Sequence, residues 1–229
     1  MSQTSTPYIH FPLFQNLTED ELIHLSEISM ERSYKQGKIL FHQDESRTNV
    51  YFILSGLVKM IKINRNGHEQ ILHVLHTNDM FPYVGFFENV PYPSSAIALT
   101  NVHVLSIPIK EFELLLIQKP GLLIKVIRII EKNYQETQDR LLYRQTQDVF
   151  HQVVLILVHF VCDLGIRQKE DTIQLHLPIT NSELANMIGV SRESVNRVFN
   201  QLKKTGIMTY NRKEILIYDF WQLKQYLQD

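Results

Sequence analysis

Four side chains lying close together in the sequence have the chemistry to read base edges: Arg192, Glu193, Asn196 and Arg197. An arginine fork can donate two bonds to guanine O6 and N7, and a glutamate can accept from cytosine N4. A carboxylate facing phosphate-rich DNA weakens binding unless it meets a donor, so Glu193 argues for base reading over simple attraction. The other reading of these residues is an i,i+4 ion pair, Glu193–Arg197, on a solvated helix. Residues 178–213 carry six basic side chains against two carboxylates, on a chain whose formal net charge is −1. That local excess makes a basic face on a near-neutral protein. Lys203, Lys204, Arg212 and Lys213, with the hydroxyls of Thr180, Ser191 and Ser194, suit contacts to the phosphate backbone.

Such residues need a rigid element to present them. Thr180 followed three residues later by Glu183 is a capping box, which predicts a helix over Asn181–Ile188. Gly189 supplies the left-handed conformation of a tight inter-helix turn. Ser191 can cap a second helix, Arg192–Lys204, which stops before Gly206. Leu184, Ala185, Ile188, Val190, Val195, Val198 and Leu202 can form the packed side of the pair. Two helices joined in this way make a helix-turn-helix, whose second helix enters the major groove by its N-terminal turns. Residues 207–210 and 215–218 flank a polar turn and read as a wing. Inside that frame, base reading is favoured over the ion pair.

The rest of the chain supplies more than one further element. Its 229 residues exceed one typical domain, and 44% hydrophobic with 21% charged residues is ordinary globular composition. No apolar run approaches the ~18 residues that span a membrane, and the first residues show no basic-then-apolar signal, so a cytoplasmic protein is expected. The single cysteine, Cys162, excludes a disulfide framework and any four-cysteine cluster; in its apolar stretch a buried structural thiol is expected. Thr18 and Glu21 form a second capping box, opening a short helix that ends near Ser29. Short β-rich runs follow at 39–41, 50–54, 58–63, 70–75 and 102–107, with Asn66-Gly67 as a type I′ hairpin signal. This pattern suits a compact barrel or roll. From residue 120 to about 144 the period becomes helical. Leu123, Ile127, Ile130, Tyr134, Thr137 and Leu141 fall at alternating spacings of four and three, a coiled-coil repeat that favours a dimer helix over one packed on its own domain. A second helix, about 148–164, is apolar almost all round and should be buried.

At this point the chain resembles the Crp/Fnr superfamily along nearly its whole length. The segment ITNSELANMIGVSRESVNRVFNQLKKTGI is similar to the helix-turn-helix of the cyclic-AMP receptor branch, with the S-R-E-[ST]-V-x-R core at Ser191–Arg197. GKILFHQDESRTNVYFILSGLVKMIKINRNGHEQILHVL follows the family's cyclic-nucleotide-binding-type β-roll. The resemblance implies an α+β chain: a β-roll (double-stranded β-helix) over 1–119, a dimerisation helix over 120–146, and a winged helix-turn-helix over 147–229. It implies a homodimer on double-stranded DNA, reading a two-fold TGTGA-like operator through Arg192, Glu193 and Arg197, with the two recognition helices about 34 Å apart. RNA polymerase is an implied partner if the protein activates. Related regulators that lack cyclic AMP often govern anaerobic, stress or arginine metabolism.

The same resemblance exposes a departure. The cyclic-AMP-binding branch holds the ribose and phosphate with a glycine-glutamate pair and a downstream arginine-serine. Aligning on Gly85-Phe86-Phe87-Glu88 places Pro82-Tyr83 at the first pair and Pro93-Ser94 at the second. The carboxylate and the cation are both missing, and a buried anion without a cationic partner is strongly disfavoured. Binding of cyclic AMP is therefore not expected, and no cofactor or metal is assigned. An iron–sulfur sensor needs four cysteines. A haem sensor needs an axial ligand, and nothing selects one of the ten histidines; His73 and His76 would point to opposite strand faces. Tyr83, Phe86, Phe87, Tyr92, Ser94 and Ser95, with Tyr134 and Thr137 of the dimer helix, are the candidate lining of an effector pocket. That pocket either admits an apolar or planar small molecule or is filled by its own side chains. Two other functional classes stay open: a ligand-binding signalling module whose winged helix binds protein, and an enzyme. For the latter the sequence offers no phosphate loop, no G-x-S-x-G elbow and no metal cluster.

Overall fold

The computed structural model describes residues 8–64, 67, 69–146, 148–168, 172–211 and 214–227, with the side chains of 9, 140, 141 and 143–146 outside the described set. The chain divides into two units, Met1–Gln135 and Glu136–Asp229, and the division falls within one long helix.

The first unit opens with helix α1 (Glu19–Ile28), whose Thr18–Glu21 capping box is formed on both sides. Eight strands follow: β1 (Met30–Tyr34), β2 (Ile39–Phe41), β3 (Asn49–Ser55), β4 (Val58–Ile63), β5 (Glu69–Leu75), β6 (Met80–Phe81), β7 (Ser95–Ala98) and β8 (Val102–Pro108). Helices α2 (Ile109–Gln118) and α3 (Pro120–Thr146) come next. The strands form two antiparallel sheets, ordered β1-β8-β3-β6 and β2-β7-β4-β5. This is the β-roll. The β4–β5 hairpin turns through Gly67 at φ +78°, whose N–H bonds the Asn64 carbonyl; Asn66 lies outside the described residues.

Alternation along β3 and β8 explains why their sequences are almost continuously apolar. Successive strand side chains point to opposite faces, and here both faces are covered. Tyr51, Ile53, Val102 and Val104 point into the roll, where they meet Phe41, Val58, Met60, Leu75, Phe81 and Tyr92. Val50, Phe52, Leu105 and Ile107 point outward into a second core made with Leu25, Phe112, Leu116, Leu122 and Val126. The roll is filled by its own aromatics: Phe41 and Tyr92 stack with centroids 3.8 Å apart, and the Tyr92 hydroxyl bonds the backbone of Thr48 and Asn49.

The predicted seam on α3 is divided between two environments. Ile127 and Tyr134 are exposed, at 54% and 61%, and Ile124 joins them at 52%. Leu123 and Ile130 are partly buried against the outer core of the roll, and Thr137 is exposed. The side chain of Leu141 lies outside the described residues.

The second unit holds α4 (Val149–Leu164), β9 (Ile166–Arg167), β10 (Ile173–Leu175), α5 (Asn181–Ile188), α6 (Arg192–Lys204), β11 (Met208–Tyr210), β12 (Ile215–Ile217) and α7 (Phe220–Gln225). Asp148 caps α4 through the His151 N–H, a bond that holds its carboxyl below the usual carboxylate range. Val153–Val158 are buried without a break, and α4 packs on α5, α6, α7 and β10. The expectation of a buried Cys162 fails: the thiol is exposed. The buried run ends at Val161, and the last turn carries Cys162 and Asp163 to the surface.

Phe52 is 1% exposed and its ring meets Phe11, Phe14 and Phe112 at 4.9–5.7 Å. Phe52→Ala should lower unfolding free energy by about 3–5 kcal/mol, read from the midpoint of chemical denaturation.

Candidate nucleic-acid interface

Helix α6 owes its orientation to two caps and a turn. The Thr180 hydroxyl accepts from the Glu183 N–H while the Glu183 carboxylate accepts from the Thr180 N–H, so α5 starts at one defined residue. Gly189 ends α5 at φ +84°, a region a side chain would strain, and its N–H bonds the Ala185 carbonyl. Two residues later the Ser191 hydroxyl accepts from the Ser194 N–H and starts α6. Val195, Val198, Phe199 and Leu202 are buried, the first and last of them completely. With that face committed to packing, the opposite face is fixed toward solvent.

The outward face carries Arg192, Glu193 and Arg197, all exposed, on the first two turns of α6. No ion pair joins Glu193 to Arg197 among the described residues. Asn196 sits beside them, partly buried, with its amide carbonyl accepting from Asn181 Nδ2 of α5 at 2.5 Å. Lys203 and Lys204 are exposed on the last turn, where cations also complement the helix dipole. Lys203 Nζ lies 6.0 Å from the Tyr210 ring centroid. The hydroxyls of Thr180, Ser191 and Ser194 are already engaged in capping or with one another. An open cleft of about 600 Å3 runs between the start of α5, Arg192 and the Tyr210–Asn211 end of the wing.

The wing is braced from behind. β11 and β12 pair antiparallel, and β12 pairs in turn with β10. Glu214 accepts from Gln174 Nε2 at 2.7 Å and from Asn211 Nδ2 at 3.1 Å. Those two bonds, Gln174 first, hold the Glu214 carboxyl below the usual carboxylate range. The predicted backbone contacts Arg212 and Lys213 lie outside the described residues.

Comparison with known proteins bears on what this geometry is for. A family model described as a cyclic nucleotide-binding domain matches residues 31–119, and one described as a Crp-like helix-turn-helix domain matches residues 157–226. The chain belongs to the Crp/Fnr family of transcription regulators. It is 27% identical to the transcriptional activator protein anr of Pseudomonas aeruginosa over 209 residues, 91% of this chain and 85% of that protein. It is 24% identical over 207 residues to the CRP-like cAMP-activated global transcriptional regulator of Mycobacterium tuberculosis, covering 90% and 92% of the two chains. The structure of FixK2 from Bradyrhizobium japonicum matches with a TM-score of 0.76 at 20% identity, covering 86% of this chain and 96% of that one, a likeness of fold.

In this Crp/Fnr chain the β-roll loop over residues 82–95 is organised by a residue that sequence reasoning missed. The Arg47 side chain is 3% exposed and donates to the carbonyls of Val84, Gly85 and Glu88. Glu113 of α2 lies 4.0 Å from the same guanidinium and also accepts from the Phe87 N–H at 2.7 Å. A Cβ on Gly85 would crowd Arg47 and Val90, and at φ +80° a side chain there would be strained. Arginine followed by acid and loop carbonyls far along the chain leaves no local spacing signal; only the fold brings them together.

The candidate effector residues scatter around this loop. Tyr92 and Ser95 are core residues, the latter accepting from the Gln43 N–H, and Ser94 is buried. Phe86 packs on the outer core against Phe112, Phe87 is 51% exposed at φ +64°, and the Tyr83 hydroxyl lies 3.1 Å from His73 Nε2. His76 instead meets Asp79. Groups of three or more metal-ligating side chains are absent among the described residues.

Gly189→Ala forces a side chain into the left-handed region and should destabilise the unit by about 1–2 kcal/mol. Because the same turn sets the angle of α6, DNA affinity should fall more than the stability change explains, measured by anisotropy well below the melting transition.

Proposed function

We propose that the protein is a homodimeric, sequence-specific regulator that binds a two-fold TGTGA-like operator through α6 without requiring cyclic AMP. In this reading residues 1–119 form the effector region, 120–146 the dimer helix and 147–229 the DNA-binding region. The observation that carries it is the face of α6: Arg192, Glu193 and Arg197 are exposed on its first turns while Val195, Val198, Phe199 and Leu202 are buried. That arrangement suits entry into the major groove by the helix N-terminus. Lys203, Lys204, Arg212 and Lys213 would hold the phosphate backbone, joined by the hydroxyls of Thr180, Ser191 and Ser194 once these turn from Glu183 and from one another. The exposed apolar positions Ile124, Ile127 and Tyr134 on α3 support the dimer, since such a stripe is unfavourable in water unless covered.

Independence from cyclic AMP rests on the loop. In the resemblance aligned on Gly85–Glu88, Tyr83 and Pro93 take the places of the nucleotide-binding branch's carboxylate and cation. Arg47, the buried cation beside this loop, is already engaged by three carbonyls and Glu113. A nucleotide phosphate would have to displace those bonds. An apolar small-molecule effector remains compatible with the aromatic lining, acting by favouring the DNA-competent arrangement. A cytoplasmic location fits a DNA-binding regulator. Relatives named as transcriptional activators, such as anr of Pseudomonas aeruginosa, support RNA polymerase as a partner.

Arg192→Ala should weaken operator binding by about 1–3 kcal/mol and relax preference at one base pair of each half-site. Lys204→Ala should weaken operator and scrambled duplexes alike and lower the slope of log K against log salt by about one. Equal loss on both duplexes for Arg192→Ala would contradict base reading by that residue.

A further inference from the structure

Asn196 is placed among the base readers, yet the structure turns its carbonyl toward another helix. A side-chain amide has one carbonyl acceptor and two N–H donors. Here the carbonyl oxygen of Asn196 is turned back to accept from Asn181 Nδ2, fifteen residues earlier, at 2.5 Å. Both ends of this bond are held in place by the backbone. Asn181 is the first residue of α5, fixed by the Thr180–Glu183 capping box, and Asn196 is the fifth residue of α6, fixed by the Ser191 cap. Val195 and Leu184, each adjacent to this region on the packed side, are buried, so neither helix can rotate to release the pair.

The geometry points to Asn181 as a positioning residue that makes Asn196 a donor-only reader of the DNA. This inference rests on α6 being the base-reading helix. An asparagine that recognises adenine needs both groups, the N–H donating to N7 and the carbonyl accepting from N6. With the carbonyl turned toward Asn181, the amide's opposite edge, its N–H groups, is the one left to meet the groove. Such a reader favours base edges made of acceptors, guanine O6 and N7 above all, and is repelled by the N4 amino donor of cytosine. The preference at that base pair is then set by a residue that itself belongs to the other helix. In the same way, the identity of residue 181 decides which way the amide of Asn196 faces.

The test uses the full-length protein with Asn196→Ala, Asn181→Ala and Asn181→Asp, titrated at one fixed salt concentration on duplexes carrying every single base-pair change in the half-site. Asn196→Ala should flatten the preference at one base pair. At that pair the unaltered protein should favour guanine over cytosine on the contacted strand by about tenfold, the low end for a base-edge contact. Asn181→Ala should bring that ratio toward one. Asn181→Asp can only accept, so it should turn the Asn196 N–H inward, present the carbonyl and invert the ratio toward cytosine. A carboxylate at the first helical position suits the helix dipole, so this variant is expected to fold, which its thermal midpoint reports. The Asn181→Asp change also adds a negative charge, which weakens all duplexes together and leaves ratios intact. A wild-type ratio favouring cytosine overturns the inference, as does a guanine preference that persists unchanged in Asn181→Asp. If no base pair in the panel matters to the unaltered protein, base reading by α6 itself has failed, and the inference falls with it. That outcome is recognisable because Arg192→Ala then also changes no preference.

Discussion

Val195 and Leu202 have no solvent exposure, and Val198 and Phe199 have almost none; this packing of one side of α6 is what the DNA-binding geometry depends on. Burying each such side chain is worth about 1.5–3 kcal/mol, far more than any contact among the exposed charges would contribute. The helix therefore has no freedom to choose which face it shows. Arg192, Glu193 and Arg197 are outward because the apolar positions are inward. The Gly189 turn and the Ser191 cap then set where that face begins. Hydrophobic packing therefore decides which side chains α6 offers to a partner.

The β-roll obeys a different constraint. Its interior is closed by stacked aromatics, with Tyr92 tied to the backbone of Thr48 and Asn49, and the loop beyond β6 is held by a buried guanidinium. Taking Arg47 out of water is unfavourable unless its donors are met and its charge balanced; three carbonyls accept its bonds and the Glu113 carboxylate lies 4.0 Å away. The loop over residues 82–95 is thereby a structural joint between the roll and α2. A buried cation already satisfied by the protein is poorly placed to recruit an anion.

Much of this was legible in the sequence where local chemistry decides the structure. The bounds of α5 and α6 follow from Thr180–Glu183, Gly189, Ser191 and Gly206, because capping and left-handed turns are short-range. The strands at 39–41 and 58–63 followed from β-branched and aromatic runs. Elements without such signals were not anticipated. β1, MERSY, is polar and almost wholly exposed, and is a strand only because it pairs with β8. β7, SAIA, is made of small residues that the roll buries. α2 starts at Ile109 after Pro108 with no side-chain cap. The α3 stripe showed the limit of periodicity: spacing alone could not say that Leu123 and Ile130 partly face their own domain while Ile124 faces solvent. Arg47, Glu113 and the Asn181–Asn196 bond join residues distant in sequence and left no pattern to find.

The proposed activity is sequence-specific DNA binding that does not need a nucleotide. Its most direct test is titration of the purified protein on a duplex carrying TGTGA and TCACA separated by six bases, against a scrambled duplex, with and without cyclic AMP. Salt must be held fixed near physiological strength, because non-specific binding depends steeply on it. Tighter binding to the operator than to the scrambled duplex is expected, by the same ratio in both conditions. Discrimination that appears only when cyclic AMP is added would contradict it.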